Sequence, residues 1–80
     1  MANFLIEAPH DKNEKACLTA IRVFMESGSH FLANANWGCR DNEHKAWLIV
    51  DVETREQAFQ VLPPLYRKSA KITELFQVTR

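Results

Sequence analysis

A period of two in residues 44–52 is the feature that most constrains what this chain can fold into. Small or aliphatic side chains fill alternate positions there: Ala46, Leu48, Val50 and Val52. This spacing is typical of a strand with one face against a core. A second alternating stretch, 30–39, comes before it, and the turn-rich tetrad 40–43 separates the two. The pattern therefore predicts an antiparallel hairpin.

Residue parity also predicts the register of this hairpin. Directly opposed residues in an antiparallel pair have position numbers with a constant sum. A sum of 83 places Trp37 opposite Ala46 and Phe31 opposite Val52, so the apolar residues share one face. A sum of 84 would instead set Phe31 against Glu53, and we reject it for that reason.

The first strand and the first helix follow from local signals. Residues 3–8 are short and mostly apolar, and Pro9 ends them, which is typical of a strand. Asp11, with Glu14 three residues later, predicts a helix start, and Gly28 is the expected stop. Within this helix an apolar stripe recurs at helical spacing: Cys17, Ala20, Ile21 and Phe24.

The second helix and the last strand are predicted from the remaining segment. Thr54 and Gln57 form a capping-box pattern, and the pair Pro63-Pro64 stops the regular helix. Residues 70–78 are predicted to form the final strand. Glu74 interrupts their alternation, so the sequence leaves the facing of this strand open.

The order of elements, β-α-β-β-α-β, is that of a ferredoxin-like α+β domain. We predict a single domain over residues 1–80, with a four-stranded antiparallel sheet in the order 4-1-3-2 and two helices on one face. The core on the helix side is then expected to contain Phe4, Ile6, Cys17, Ile21, Phe24, Phe31, Trp37, Leu48, Val50 and Leu62.

The other face of the sheet is expected to be uncovered and unusually apolar. It would present Leu5, Glu7, Leu32, Asn34, Asn36, Trp47, Ile49 and Asp51. An exposed apolar patch of this size normally marks an interaction surface. We therefore expect a homodimer that pairs through this face, with Trp47 as an anchor. The alternative is a monomer with a few exposed apolar side chains, which is common.

The order of elements and the apolar outer face resemble the dimeric α+β barrel superfamily. That group includes small isomerases, cofactor-less monooxygenases and YCII-like proteins. A local pattern is similar to that of short bacterial proteins of this type: Trp37-Gly38-Cys39, His44, Trp47, Glu53 to Ala58, and Leu62-Pro63-Pro64. The resemblance implies a ferredoxin-like fold and dimerisation. It implies no particular reaction, because no catalytic signature can be placed on the chain.

The polar residues of the uncovered face predict a second possibility, a small-molecule pocket. Apolar walls with a few converging polar groups are typical of such pockets. Glu7 or Asp51 would act as a catalytic acid or base, and Asn34, Asn36 and Trp47 would bind the ligand. The alternative is a hydrogen-bond network at the dimer interface. No cofactor is predicted.

The hairpin turn offers a third candidate site. Under the sum of 83, Cys39 and His44 face each other, and thiolate and imidazole are both zinc ligands. With Asp41 or Glu43 as a third ligand, the turn would hold a metal or redox site. A solvated turn is the alternative. Cys17 is expected to be a buried apolar side chain, and both cysteines are expected to be free thiols.

The other two histidines are not expected to join this turn. His10 is interpreted as a loop residue near a helix start, and His30 as a strand end about 30 Å from the turn.

Composition excludes several classes of partner. Ten basic residues balance ten acidic ones, so we expect no nucleic-acid partner. No apolar run approaches the length that spans a bilayer, so we expect no membrane partner. The segment Met1-Ala2-Asn3-Phe4 lacks a basic region followed by a long apolar stretch, which favours a cytoplasmic location without a signal peptide.

Overall fold

The computed structural model describes residues 2–78. In chain order the elements are β1 (Ala2–Pro9), α1 (Glu14–Glu26), α2 (His30–Ala33), β2 (Asn36–Trp37), a 3-10 turn (Cys39–Asp41), β3 (Lys45–Val52), α3 (Arg55–Val61), α4 (Pro64–Arg67) and β4 (Lys71–Leu75). The four strands form one antiparallel sheet in the order β2-β3-β1-β4, which reads 4-1-3-2 when counted from the β4 edge. The described chain is therefore a small α+β domain with four helices, two more than the predicted pair.

Strand β3 has the predicted alternation. Ala46, Leu48 and Val50 are buried, whereas Ile49 and Asp51 are exposed. The constant sum of 83 holds for the two pairs that β2 makes with β3, Asn36 with Trp47 and Trp37 with Ala46. The predicted register is therefore confirmed over this short stretch.

The prediction of a strand over residues 30–39 is confirmed only at residues 36–37, which form β2. Residues 30–33 form α2, so Ala33 does not pair with Val50, nor Phe31 with Val52. The cause is local hydrogen bonding that competes with a strand ladder. The Ser29 hydroxyl caps the helix by accepting from the Leu32 amide, and Asn34 Nδ2 donates to the His30 carbonyl at 2.8 Å.

This helix moves Leu32 to the inner side of the sheet. Its side chain is 2% exposed and belongs to the core, so its predicted place on the uncovered face was wrong. The alternation of residues 30–33 indicates a strand with Leu32 facing outward. In the short capped helix α2 the Leu32 side chain instead points into the core.

The two longer helices begin with side-chain caps. The residue that caps α1 is Asn13, whose Oδ1 accepts from the Ala16 amide at 2.7 Å, and the prediction of Asp11 was wrong. Asn13 is the residue directly before the first helical turn, the position from which a short polar side chain reaches the free amides. The capping box of Thr54 and Gln57 at the start of α3 is confirmed.

The core lies between the inner side of the sheet and the helices. Seven predicted members are buried: Phe4, Ile6, Cys17, Phe24, Leu48, Val50 and Leu62. Three others are only half-buried: Ile21, Phe31 and Trp37. Phe24 is central, since its ring packs edge-on against Trp37 at 4.9 Å and Tyr66 at 5.5 Å between centroids.

Strand β4 is shorter than predicted. It ends at Leu75, and Phe76 and Val78 are exposed, so the prediction of a strand to residue 78 was wrong. The facing that the sequence left open is settled by Ile72, which is buried. Within residues 2–78, no helix has both the length and the apolar character needed to cross a bilayer.

Candidate functional site

Four nitrogen- and sulfur-bearing residues meet at one corner of the domain. We call His10, Cys17, Cys39 and His44 the His–Cys corner. His10 directly follows β1, Cys17 lies in the first turn of α1, Cys39 opens the 3-10 turn, and His44 directly precedes β3. Three separate segments of the chain therefore contribute to one small volume.

The two histidines meet because β1 and β3 are antiparallel neighbours. Their register pairs Pro9 with Lys45, and the next step outward pairs His10 with His44. The His10 amide donates to the His44 carbonyl at 3.0 Å, which extends the ladder by one bond. The two rings lie edge to face, 5.6 Å apart between centroids.

A disulfide joins Cys17 to Cys39. The expectation of two free thiols is therefore corrected. The bond links α1 to the turn of the β2–β3 hairpin, across a sequence separation of 22 residues and a Cα–Cα distance of 6.9 Å. Cys17 is on the buried stripe of α1, as predicted, but that stripe ends at the hairpin turn, so the neighbour of its sulfur is Cys39.

The ring nitrogens of the two histidines have different surroundings. His10 Nε2 lies 3.2 Å from Cys39 Sγ, and His44 Nε2 lies 3.3 Å from the side-chain oxygen of Asn42. A disulfide sulfur and an amide oxygen can only accept, so both Nε2 atoms are donors and both Nδ1 atoms carry lone pairs. Among the described residues, both Nδ1 atoms are buried without a hydrogen-bond partner.

The surroundings of His10 favour the neutral form of its imidazole. Burial lowers its pKa, nearby His44 lowers it further, and Asp11 opposes them by raising it. A neutral imidazole keeps the lone pair that a metal ligand needs.

The disulfide is open to solvent through a small pocket of about 230 Å³. Its lining is contributed by Glu14, Cys17, Leu18, Cys39, Arg40 and His44. Cys17 is only 7% exposed, whereas Cys39 is half-buried, so Cys39 is the more accessible half of the bond.

Gly38 fixes the turn that carries Cys39. A Cβ atom at this position would lie 2.5 Å from the Trp47 ring and 2.7 Å from the Glu43 carbonyl oxygen. The Gly38 carbonyl accepts from the amides of Asp41 and Glu43, each at 2.9 Å. Only glycine allows the turn to approach Trp47 this closely.

The predicted third metal ligands do not reach the corner. Asp41 and Glu43 are exposed, and the cluster of potential ligand atoms within 4.8 Å of one another consists of His10, Cys39 and His44. Cys39 and His44 were identified from the sequence, whereas His10 and Cys17 were missed. The signal for His10 was present, since an antiparallel β1–β3 pair brings the end of one strand to the start of the other.

The outer side of the sheet carries the other predicted site. We call its outward-facing residues the open sheet face: Asn3, Leu5, Glu7, Asn36, Trp47, Ile49, Asp51, Lys71, Thr73 and Leu75. Glu7 and Trp47 are cross-strand partners, and Trp47 Nε1 donates to Glu7 Oε1 at 3.3 Å. Lys45 Nζ lies 4.0 Å from the same oxygen.

The predicted polar group of this face is only partly brought together. Asn36 lies directly opposite Trp47, which pairs with Glu7 on its other side. Asp51 pairs with Asn3, about 13 Å along the strand from Trp47. Asn34 is not on the sheet, because it ends α2.

Comparison of the chain with protein-family models, with curated proteins and with solved structures finds no match.

Proposed function

We propose that this protein is a thiol–disulfide redox protein whose Cys17–Cys39 bond is reversibly reduced. The observation that carries the proposal is the solvent-accessible pocket that opens onto this disulfide. Two equivalents of an external thiol reduce the bond to two cysteine thiols, and the external thiol becomes a disulfide. Two electrons and two protons are transferred to the protein, and an oxidant of the low-molecular-weight disulfide class reverses the step.

The different exposure of the two sulfurs sets the order of attack. An incoming thiolate reaches the half-buried Cys39 and forms a mixed disulfide there, and the buried Cys17 is the leaving group. The hydrogen bond from His10 Nε2 holds the Cys39 sulfur at the pocket wall. Reduction also breaks the side-chain cross-link between α1 and the hairpin turn, so the redox state changes how firmly the turn is held.

We also propose a ferredoxin-like arrangement of the chain and a cytoplasmic location. The strand order and the burial of α1 and α3 side chains in one core with the sheet support the first. The second fits a reversible bond, because disulfides in the reducing cytosol are usually transient and serve catalysis or redox sensing.

A redox titration tests the proposal directly. The chain contains only two cysteines, so alkylation followed by mass measurement reports this bond alone. We expect a reversible two-electron transition between fully protected and doubly alkylated protein across a series of glutathione buffers. A bond that resists reduction until the protein unfolds, or thiols that fail to re-form it, would contradict the proposal.

A matched pair of variants tests the route of attack. Leu18 and Met25 lie on α1 and are 59% and 58% exposed, but only Leu18 lines the pocket. Leu18→Glu is expected to slow reduction by anionic glutathione about three- to tenfold through charge repulsion at short range. Met25→Glu is expected to react at the wild-type rate. Equal slowing by both would place the attack elsewhere.

The open sheet face supports self-association as a second function. Ile49 is 61% exposed at its centre, beside its cross-strand partner Leu5. Polar and charged side chains lie toward both ends of the same strands, which is the usual anatomy of an interface with an apolar centre and a polar rim. Light scattering at micromolar concentration is expected to give twice the chain mass of 9.2 kDa. A particle of the chain mass would contradict a dimer.

A further inference from the structure

We propose that the reduced His–Cys corner binds one zinc ion through His10, Cys17, Cys39 and His44. This inference rests on the proposed redox function, because the two cysteines become thiolate ligands only after the disulfide is reduced. Two thiolates and two imidazoles form a closed tetrahedral donor set of the kind that holds structural zinc.

The distances within the corner are close to those of such a site. Zinc bonds of about 2.3 Å to sulfur and 2.0 Å to nitrogen place neighbouring tetrahedral ligand atoms about 3.3 to 3.8 Å apart. The potential ligand atoms of His10, Cys39 and His44 all lie within 4.8 Å of one another. Coordination of one ion would draw these atoms closer together by about 1 Å or more.

The fourth ligand is placed by the disulfide itself. Because Cys17 Sγ is bonded to Cys39 Sγ, it already lies at the corner, and both cysteines line the same pocket as His44. After reduction the two sulfurs need to separate to about 3.8 Å to share one ion. Their Cα atoms are 6.9 Å apart, which leaves room for this separation without backbone movement.

Two ring nitrogens of the corner are available as metal ligands. Nδ1 of His10 and Nδ1 of His44 are buried lone-pair atoms without a donor among residues 2–78. Buried polar atoms are normally satisfied, so two such atoms in one small cluster require an explanation. His44 also donates its other ring nitrogen to Asn42, the type of contact that orients histidine ligands at metal sites.

Zinc binding and the disulfide exclude each other. A low-molecular-weight disulfide oxidises the two bound thiolates, the Cys17–Cys39 bond forms, and two external thiolates and the zinc ion are released. In this balance the protein loses two electrons and the external disulfide gains them. The corner therefore exchanges a metal cross-link among three segments for a covalent one between two of them, α1 and the hairpin turn.

Cobalt titration of the reduced protein tests the site. The intact chain is reduced with a phosphine under anaerobic conditions and titrated with Co²⁺, which reports tetrahedral thiolate coordination by its visible and charge-transfer bands. We expect saturation at one equivalent, and loss of the bands when one equivalent of Zn²⁺ is added. Zn²⁺ is also expected to raise the melting temperature of the reduced protein and to leave that of the oxidised protein unchanged.

Histidine variants separate the metal site from the disulfide. His10→Gln and His44→Gln keep both cysteines, and each is expected to weaken Zn²⁺ binding by tenfold or more. His30→Ala is the matched control, because His30 lies on α2 outside the corner and is expected to bind as wild type does. Wild-type affinity in both Gln variants would overturn the proposed site.

Alkylation of the two cysteines and the cobalt spectrum together distinguish the redox function from the zinc site. Reversible alkylation without any cobalt spectrum would overturn the zinc site and leave the redox function standing. A tetrahedral cobalt spectrum in protein whose thiols never re-form the disulfide would support the zinc site and overturn the redox function.

Discussion

The His–Cys corner and the open sheet face differ in how their polar groups are satisfied. At the corner, Nδ1 of His10 and Nδ1 of His44 are buried without hydrogen-bond partners among the described residues. Both histidines lie beside the Cys17–Cys39 disulfide. On the open sheet face, Glu7 accepts from Trp47 and lies beside Lys45, and Asp51 is exposed at the other end. The corner converges on one point, whereas the face spreads its polar groups along a surface.

This difference shows that sharing a face is weaker evidence for a site than convergence from separate elements. Parity places Glu7, Asn36 and Trp47 on one face, and the strands keep them there, but Glu7 and Trp47 form a hydrogen bond with each other and Asn36 is exposed. His10 and Cys17 carry no special pattern in the sequence. They join Cys39 and His44 because the ends of three elements meet.

Of the changes considered, reduction of the disulfide in the His–Cys corner is expected to lower the free energy of unfolding the most. The open sheet face is not involved in this effect. A cross-link over a separation of 22 residues stabilises the folded state by about 3 kcal/mol through its effect on the unfolded chain. Without zinc, a phosphine reductant should therefore lower the free energy of unfolding of wild type by about this amount in a urea titration.

Cys39→Ser provides the control for that titration. Its stability is expected to match reduced wild type and to be insensitive to the reductant. A reductant effect of similar size in the variant would mean that the stability difference does not come from the disulfide.

Gly38→Ala is expected to have the next largest effect, because Gly38 connects the two regions. Its Cβ would collide with the Trp47 ring and with the Glu43 backbone, and overpacking of this kind costs about 2 kcal/mol. The displaced turn carries Cys39, so the variant should also weaken Zn²⁺ binding by the reduced protein.

Gly28→Ala is the matched control for this variant. Gly28 has φ of 79°, and a Cβ added there would meet no atom within 4 Å, so the cost of about 1 kcal/mol is purely conformational. It should leave metal affinity unchanged. Equal loss of affinity in both glycine variants would show that general destabilisation, not the position of the turn, controls the corner.

The parts of the fold that could be predicted from the sequence are those in which several residues of one segment indicate the same structure. The alternation of β3 and the Thr54 capping box are such signals, and both are confirmed. Residues 30–33 also alternate, but the Ser29 cap and the Asn34 side chain favour a helix there, and single-residue hydrogen bonds of this kind outweigh a short pattern.

The corner was only half predictable for a different reason. Cys39 and His44 lie at the two ends of one local turn, and residue parity alone was enough to predict that they are neighbours. His10 is 34 positions from His44, and their contact depends on the β1–β3 pairing, whose register no local turn fixes. Cys17 would be buried on the apolar stripe of α1 both as a free thiol and as half of a disulfide. Its place on that stripe therefore could not predict the bond to Cys39.

Ile49→Asp is expected to test the open sheet face with little effect on the corner. Ile49 is 61% exposed, so the change should alter the stability of a single chain by about 1 kcal/mol or less. In a dimer it buries a charge at the centre of the interface, and sedimentation should then show the mass of one chain. Thr73→Asp, which lies opposite Leu5 on the other flank, should act in the same direction. Unchanged mass in both variants would exclude pairing through this face.

Glu7→Gln is expected to have the smallest effect, and it separates a structural from a chemical role for this carboxylate. The amide oxygen of glutamine can still accept from Trp47 Nε1, so the hydrogen bond is kept and only the charge beside Lys45 is lost. A half-exposed ion pair at 4.0 Å contributes little, and we expect a change in the free energy of unfolding within about 0.5 kcal/mol. Rates of disulfide reduction should be unchanged, because Glu7 does not line the pocket at the corner. A several-fold change in those rates would mean that the two regions are coupled through the β1–β3 pair, and the contrast between them would then fail.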